Sequence, residues 1–412
     1  MEANLFKLIR SDDIYIRSYG SGRVVLSLRN GIRLGLSGQL ATVLWKLVDS
    51  VDGLSLRYIA SQKNAFTGEM RSIASMIDVI LTELDKAEPL DYETVINRVP
   101  GLMQHSLKER VPLFAGMDLT YVCNLRCKHC YVLHKVSEPK PEQIDEKTAY
   151  RVIDSLVELG CLDLTLTGGE ITLHPRYRDV LSYAKDRHLY TILKTNGITM
   201  TERRANEYAK DPANETHLSL YGSTAEVHDE MTVLPGSFNK TLAGMRELTK
   251  AGIRCKINIL VWEKGADQLV DACKLVEDMG HVPNLEDVMH GRLNGDQSPL
   301  SMRISKETRA KLTEQGILQP FSPDSCSAGM SKLKIYGNGG ISACELIPHS
   351  FGNLFQQSLA EIWYGMPFSD FSHQVMGASQ LSAKEFPILS NRNACPGLNI
   401  LNTGQMEGQT QI

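Results

Sequence analysis

From Leu113 onward the chain alternates apolar, strand-like runs with segments whose apolar positions recur at helical spacing. The strand-like runs fall at 113–120, 162–169, 190–197, 216–223 and 255–262, with a sixth near 284–289. Helix-like stretches at 143–159, 177–187, 201–210, 238–251 and 266–279 follow the first five in turn. Strands and helices alternating in this way predict β-α units around a parallel sheet. No Rossmann glycine fingerprint opens any unit, so the expected fold class is α/β, a partial (β/α)6 TIM-like barrel rather than a doubly wound sheet. Active sites of such barrels lie at the carboxyl ends of the strands. Cys123, Gly168, Asn196 and Tyr221 all fall at those ends.

The pattern differs on either side of this region. Within 1–95, the run 24–37 reads as two strands around Asn30-Gly31, a dipeptide suited to a two-residue hairpin turn. Leu40, Val43, Leu44, Leu47 and Val48 then repeat at helical spacing, as do Ile73, Met76, Ile77, Ile80, Leu81 and Leu84. Pro89 and Pro100 close the segment. A hairpin plus helices predicts a winged-helix-like domain over 1–95, a linker over 96–112, and the barrel over 113–300. Residues 301–412 form a third region with a hairpin signal around Gly337-Asn338-Gly339-Gly340 and cysteines at Cys326, Cys344 and Cys395.

Composition narrows the classes. The 412 residues are 42% apolar and 22% charged, ordinary for a globular chain of two or three domains. A net charge of −4 leaves no global nucleic-acid footprint. No run of 18 apolar residues and no signal peptide is visible, so no membrane span is expected. Nine cysteines, three of them crowded together, suggest metal binding in a reducing cytosol rather than a disulfide frame, and a cytoplasmic location.

The crowded three lie in CNLRCKHC, where Cys123, Cys127 and Cys130 are spaced C-x3-C-x2-C. Three thiolates can hold three corners of a cubic iron–sulfur cluster and leave the fourth iron accessible to a small molecule. The plainer alternative is zinc, with His129 or His134 as a further ligand. Gly168-Gly169-Glu170 ends the second strand, where two glycines permit close backbone approach and a carboxylate can accept from an ammonium group.

This combination resembles the radical S-adenosylmethionine (SAM) enzymes. The resemblance implies that Cys123, Cys127 and Cys130 hold a [4Fe–4S] cluster and that Gly168, Gly169 and Glu170 contact the SAM amino group. It further implies that Ser219 reaches the ribose or carboxylate, that His129 lies against the adenine, and that Asn196 borders the site. Cys326, Gly339 and Cys344, followed by the segment 351–363, resemble the opening of the auxiliary-cluster extensions called SPASM and twitch. The chain then departs from that pattern, since Cys395 alone remains. The implied auxiliary [4Fe–4S] cluster therefore has three thiolates, with His349 and Asp324 near enough in sequence to complete it. Cys161, Cys255 and Cys273 read as core residues.

Residues 14–90 resemble the leader-recognition domain of enzymes that mature ribosomally made peptides, which bind an extended leader by strand addition. The rival is a DNA-reading winged helix, kept open by Arg17, Arg23, Arg29 and Arg33, though isolated arginines more often form a solvated face. The combined resemblance implies hydrogen abstraction from a precursor peptide by a 5′-deoxyadenosyl radical. Cross-linking through a thioether, C–C or C–O bond would follow, with reduction by a donor such as flavodoxin or ferredoxin. Epimerisation, or maturation of a folded protein or small molecule, is the enzymatic alternative. An iron–sulfur DNA-binding sensor is the non-enzymatic one. Neither nucleic acid nor membrane is an expected partner under the first reading.

Overall fold

In a computed structural model the described residues are 7–20, 22–51, 53–319, 327–347 and 349–373. The chain begins with a four-stranded antiparallel sheet in sequential order: β1 (Lys7–Ser11), β2 (Ile14–Ser18), β3 (Arg23–Ser27) and β4 (Arg33–Ser37). Helices Gly38–Ser50, Leu56–Ser61 and Gly68–Lys86 follow. Ile14, Ile16, Val24, Leu26, Leu44 and Ile77 form part of the core that this sheet shares with the helices.

Strand β2 is buried at every position. Side chains alternate between the two faces of a strand. Ile14 and Ile16 therefore serve the domain's own core, while Tyr15, Arg17 and Tyr19 turn to the barrel. Tyr15 stacks on His188 at 4.1 Å, and the Tyr19 hydroxyl donates to the Gly160 carbonyl at 2.9 Å. Arg17 donates to the carbonyls of Arg187 and His188, each at 3.2 Å. β3 and β4 are the two strands expected over 24–37; β1 and β2 carry no such sequence signal, because an arginine inside a buried strand does not read as core.

The β3–β4 connection is also longer than a two-residue turn. Leu28 N donates to Ile32 O, and Gly31, at φ +84°, donates to Leu28 O, so Arg29-Asn30-Gly31 form a three-residue loop. The barrel holds this loop. Arg29 pairs with Asp186 at 2.5 Å and Asp211 at 2.9 Å, and Asn214 Nδ2 donates to the Asn30 carbonyl at 2.7 Å.

Residues 96–112, expected to be a linker, include the end of helix Tyr92–Arg98 and the helix Leu102–Glu109. Val95, Val99, Leu102 and Val111 pack with Tyr19, Val25, Leu113 and Leu162 into a small core that joins the N-terminal domain to the barrel.

The barrel strands are β5 (Phe114–Thr120), β6 (Asp163–Gly168), β7 (Tyr190–Thr195), β8 (Glu215–Leu220), β9 (Lys256–Leu260) and β10 (Val282–Glu286). Each pairs in parallel with the next. Leu164, Leu166, Leu193, Leu218, Ile257 and Ile259 share one core with helices Glu146–Glu158, Tyr177–Asp186, Ser237–Lys250 and Leu269–Asp278. The partial (β/α)6 barrel is thus present, with its sixth strand slightly earlier than expected.

The third region continues the barrel sheet. Strand β11 (Lys332–Ile335) pairs in parallel with β5, and β12 (Gly340–Ser342) and β13 (Gly352–Asn353) continue antiparallel, giving one nine-stranded sheet. Lys334 on β11 and Asp118 on β5 form a buried ion pair at 2.5 Å. Helix Leu359–Tyr364 opens on a Ser358/Glu361 capping box and buries Trp363, whose Nε1 donates to the Arg110 carbonyl at 2.6 Å. Among the described residues no helix is long and apolar enough to cross a membrane.

Candidate active site

The Cys123–Cys130 loop leaves the carboxyl end of β5 and is pinned from three sides. Val122 N donates to Thr120 Oγ1 at 3.0 Å, and Tyr121 N donates to the Glu142 carbonyl at 2.8 Å. Lys128 N donates to the Met231 carbonyl at 2.8 Å, and Arg292 donates to the Lys128 carbonyl at 3.0 Å. Cys127 packs with Tyr221, Val227, Met231, Leu260, Trp262 and Met289, whereas Cys123 and Cys130 pack with Tyr121, Val132 and Val136.

Burial, then mutual charge among the three sulfurs, pushes the Cys127 thiol far above its ordinary range. Burial likewise raises Cys130 to about 12, and raises Cys123. Three crowded, buried thiols resist ionisation unless a positive centre sits among them. Mononuclear zinc takes four ligands that converge on one point. A polynuclear cluster, which meets each sulfur at a different iron, suits three thiols on one loop.

Gly168 and Gly169 have a local reason to be glycine. Gly169 N donates to Thr120 O at 2.6 Å, and Glu170 N donates to Val122 O at 2.8 Å. A Cβ on Gly169 would lie 2.5 Å from Val122 O, and one on Gly168, at φ +144°, would overlap Thr120 O. The two glycines let β6 lie directly on the backbone that enters the cysteine loop.

Glu170 is fully buried and its carboxylate is already engaged. Oε1 accepts from Thr172 N at 3.0 Å, Thr172 Oγ1 at 2.5 Å and Thr195 Oγ1 at 2.6 Å; Oε2 accepts from Asn196 N at 2.7 Å. Asn196 Nδ2 in turn donates to Asn124 Oδ1, inside the cysteine loop, at 2.7 Å. Glu170 thus ties the ends of β6 and β7 together, and Asn196 ties β7 to the loop. Thr172, Thr195 and Asn124 carried no signal in the sequence beyond proximity to the motifs.

Ser219 lies on β8, and Tyr221 follows the strand's last residue. Tyr221 packs against Cys127, and burial holds its hydroxyl pKa well above the ordinary value. Tyr221 is a packed residue, buried among Val227, Met231, Leu260, Trp262 and Met289. Its carbonyl accepts from Trp262 Nε1 at 2.8 Å. The His129 ring lies 5.0 Å from the Tyr221 ring and the His228 ring 5.2 Å. Burial pulls both imidazoles down to about 4, so both are neutral. His129 Nδ1 and His228 Nε2 are buried with no protein partner, leaving two orphaned polar atoms beside the cysteine loop. Such atoms suit a polar ligand bound across the strand ends.

Of the expected auxiliary ligands, Cys344 follows β12 and is half-buried, and Leu346 N donates to its sulfur at 3.4 Å. Cys326, Cys395 and Asp324 lie outside the described residues. His349 is exposed, edge-on to Phe351 at 4.8 Å. Cys161 and Cys255 are buried in the core and Cys273 packs against it.

The four arginines that kept a DNA-reading surface open are not a basic face. Arg17, Arg29 and Arg33 bind the barrel and Arg23 donates to the Pro100 carbonyl at 3.1 Å.

Residues 117–276 match the Radical SAM superfamily, and residues 326–388 match the SPASM iron–sulfur cluster-binding domain. AlbA of Bacillus subtilis, an antilisterial bacteriocin subtilosin biosynthesis protein, is 27% identical over 277 residues, 61% of this chain and 60% of AlbA. An AdoMet-dependent heme synthase of Oleidesulfovibrio alaskensis is 26% identical over 60% of this chain and 73% of its own. The crystal structure of Streptococcus suis SuiB bound to precursor peptide SuiA shares the fold, with a TM-score of 0.58 and 15% identity over 88% of this chain and 90% of SuiB. The chain carries a radical SAM domain and a SPASM-type domain, whose cofactors are S-adenosylmethionine and iron–sulfur clusters, and it spans about 60% of the length of AlbA.

Proposed function

We propose that this enzyme modifies a ribosomally made precursor peptide, holding its leader on the N-terminal domain while the core is cross-linked in the barrel. The observation that carries this reading is the N-terminal sheet. Its β4 edge is occupied where Ile32 bridges to Pro89 and Leu90 N donates to Gly31 O, whereas among the described residues β1 ends the sheet on the other side. An unpaired edge strand is a template for an extended chain. A groove of about 470 Å³ borders it, lined by Lys7, Val24, Thr42, Trp45 and Asp49 among others. AlbA's role in bacteriocin biosynthesis and SuiB's complex with SuiA support the same substrate class.

Cys123, Cys127 and Cys130 would hold the [4Fe–4S] cluster, and His129, Gly168, Gly169, Glu170, Asn196 and Ser219 would border S-adenosylmethionine. When bound, these groups supply a 5′-deoxyadenosyl radical able to abstract hydrogen from an unactivated carbon. The chain's own residues shape the space for it. Glu170 and Asn196 lock the strand ends to the cysteine loop, and Tyr221, Trp262 and Met289 wall Cys127 from water. Cys326, Cys344 and Cys395 would hold the auxiliary cluster, and a flavodoxin or ferredoxin would supply the reducing electron.

The test is anaerobic reconstitution with the short peptide encoded beside the enzyme, followed by mass spectrometry. Loss of two hydrogens, with 5′-deoxyadenosine formed, supports a cross-link; a stereochemical change without mass change identifies an epimerase. Trp45→Ala should raise KM for full-length precursor about tenfold, because leader binding supplies effective concentration. The heme synthase likeness favours a second reading, a small-molecule substrate. Turnover of such a molecule with no change in any peptide would replace the first.

A further inference from the structure

We infer that Lys194 binds a carboxylate inside the barrel, and that an acidic group of the substrate is the source the geometry favours. The substrate assignment rests on the peptide reading above; the carboxylate site itself does not.

Lys194 lies on β7, between β6 and β8 in the middle of the sheet, yet its side chain is exposed. Its neighbours Leu193 and Thr195 are buried, and Leu193 belongs to the core under the helices. Side chains alternate, so Lys194 projects to the opposite face, with Ile192 before it and Asn196 after it. An exposed lysine in a central strand requires an open space on that face: the hollow of the barrel.

Two other residues locate this hollow. Lys194 stands beside His217 in the β7–β8 register, and His217 stands beside Lys256 of β9, which is also exposed. Lys194 and Lys256 both act electrostatically on His217. On the far side of the sheet, β12 is followed by Glu345, which is also exposed.

The hollow is closed beneath and active above. At the amino ends of the strands, Tyr190 carries the Arg33 guanidinium over its ring, and Asp163 pairs with the same arginine. At the carboxyl ends, Asn196 reaches the cysteine loop. Lys194 is two residues, about 7 Å of strand, below Asn196. Its ammonium thus opens into the space directly under the site.

Lys194 and Lys256 make no hydrogen bond or ion pair among the described residues. The acidic groups nearby do not meet this need. Glu215 is engaged by Tyr190 at 3.0 Å and His217 at 2.6 Å, and Glu345 makes no ion pair with Lys194. An unpaired ammonium that opens into the barrel favours an anionic ligand, and a planar carboxylate of an Asp or Glu side chain or a peptide terminus has the size to meet it. The methionyl carboxylate of S-adenosylmethionine offers the same chemistry from the strand-end side.

Full-length enzyme reconstituted anaerobically distinguishes the sources by equilibrium binding, without turnover. The probes are S-adenosylmethionine, its decarboxylated analogue, and the blocked tripeptides acetyl-Gly-Glu-Gly-amide and acetyl-Gly-Gln-Gly-amide, followed by ligand-observed NMR. Wild-type enzyme should prefer the Glu over the Gln peptide by about tenfold, the worth of one charge-assisted hydrogen bond. Lys194→Met should erase that preference with S-adenosylmethionine affinity within twofold of wild type, and Lys194→Arg should retain most of it. If Lys194→Met instead weakens S-adenosylmethionine about tenfold but not its decarboxylated analogue, the carboxylate is the cofactor's. If both peptides bind wild type equally and Lys194→Met changes no affinity, Lys194 binds no carboxylate. Absence of peptide turnover by wild-type enzyme would overturn the peptide reading while leaving these binding results to stand.

Discussion

Arg33 of the N-terminal sheet and Asp163 at the start of β6 form an ion pair at 2.6 Å with both side chains wholly inaccessible to solvent. Arg33 also donates to the Leu90 carbonyl at 3.0 Å and to the Leu162 carbonyl. One guanidinium therefore holds the N-terminal domain, the segment after it and the barrel together at the amino ends of the strands.

Arg33→Met should destabilise the protein by about 3–5 kcal/mol, because it leaves the Asp163 carboxylate buried without its cation. Denaturant unfolding measures this, and limited proteolysis should show the N-terminal domain cut first. Arg33→Met with Asp163→Leu should recover much of the loss, as paired apolar replacements often do. A single variant as stable as wild type would mean the pair does not hold the domains. Excising residues 1–95 would expose this same buried carboxylate, so substitutions in the leader groove test leader binding more cleanly than truncation.

Gly168→Ala should lower iron incorporation although Gly168 binds no iron. At φ +144° the added methyl is strained by about 1–3 kcal/mol and overlaps the Thr120 carbonyl, displacing the backbone that leads into Cys123. Iron and sulfide assay after anaerobic reconstitution should show well under one site-cluster equivalent, with a lowered Tm. Normal iron content with lost S-adenosylmethionine affinity would assign the glycine to the ligand instead.

Acid should loosen the junction between the domains through His188. Its ring is buried against Tyr15, its Nδ1 faces the Ser27 carbonyl at 2.8 Å, and Arg17, Arg10 and Asp13 are the charges nearby. Burial, aided by the two arginines, lowers its pKa from 6.5 to about 4. Between those values the unfolded chain binds the proton and the folded chain does not, so stability rises with pH there. The contribution is complete above pH 6.5 and about 3 kcal/mol of it is lost as pH falls to 4. His188→Asn, which tolerates the positive φ at this position, should flatten the stability–pH curve in that window by one proton's worth. An unchanged slope would mean that the His188 ring is protonated in the folded state as readily as in the unfolded one.

Cys127→Ala should abolish 5′-deoxyadenosine formation, since losing one of three thiolates loses the cluster. Joint replacement of Cys326, Cys344 and Cys395 by alanine should leave that reaction intact, stop cross-linking and lower iron by close to one cluster, read by iron assay and Mössbauer spectra. Unchanged iron in the triple variant would remove these three residues as ligands. Iron lost with the mature product still formed would make the cluster structural.

The local signals in the sequence were strong where one element carries the whole meaning. The C-x3-C-x2-C spacing, the glycines that end β6 and the strand–helix alternation from Leu113 are each read within a few residues, because sulfur spacing, backbone freedom and pleat period are local properties. They were enough to mark the barrel and the GNGG hairpin. They did not distinguish a glycine kept for a ligand from one kept because Thr120 lies against it, nor a carboxylate free for a substrate from Glu170, already engaged by Thr172, Thr195 and Asn196.

What the tertiary structure decided depends on residues far apart in the chain. Arg17, Arg29 and Arg33 read as a solvated or DNA-facing set, yet they meet carbonyls and carboxylates roughly 130 to 180 positions away and bind one domain to another. The hairpin assigned to a separate C-terminal region pairs with β5 because Lys334 finds Asp118 only when both strands lie in one sheet. Lys194 stands exposed in a central strand only because the sheet leaves that face open. A sequence determines which side chains each strand offers and on which face, since that follows from two residues per pleat. It does not determine what those faces meet, because burial and pairing are set by the partner that arrives, and the partner is chosen by the whole fold.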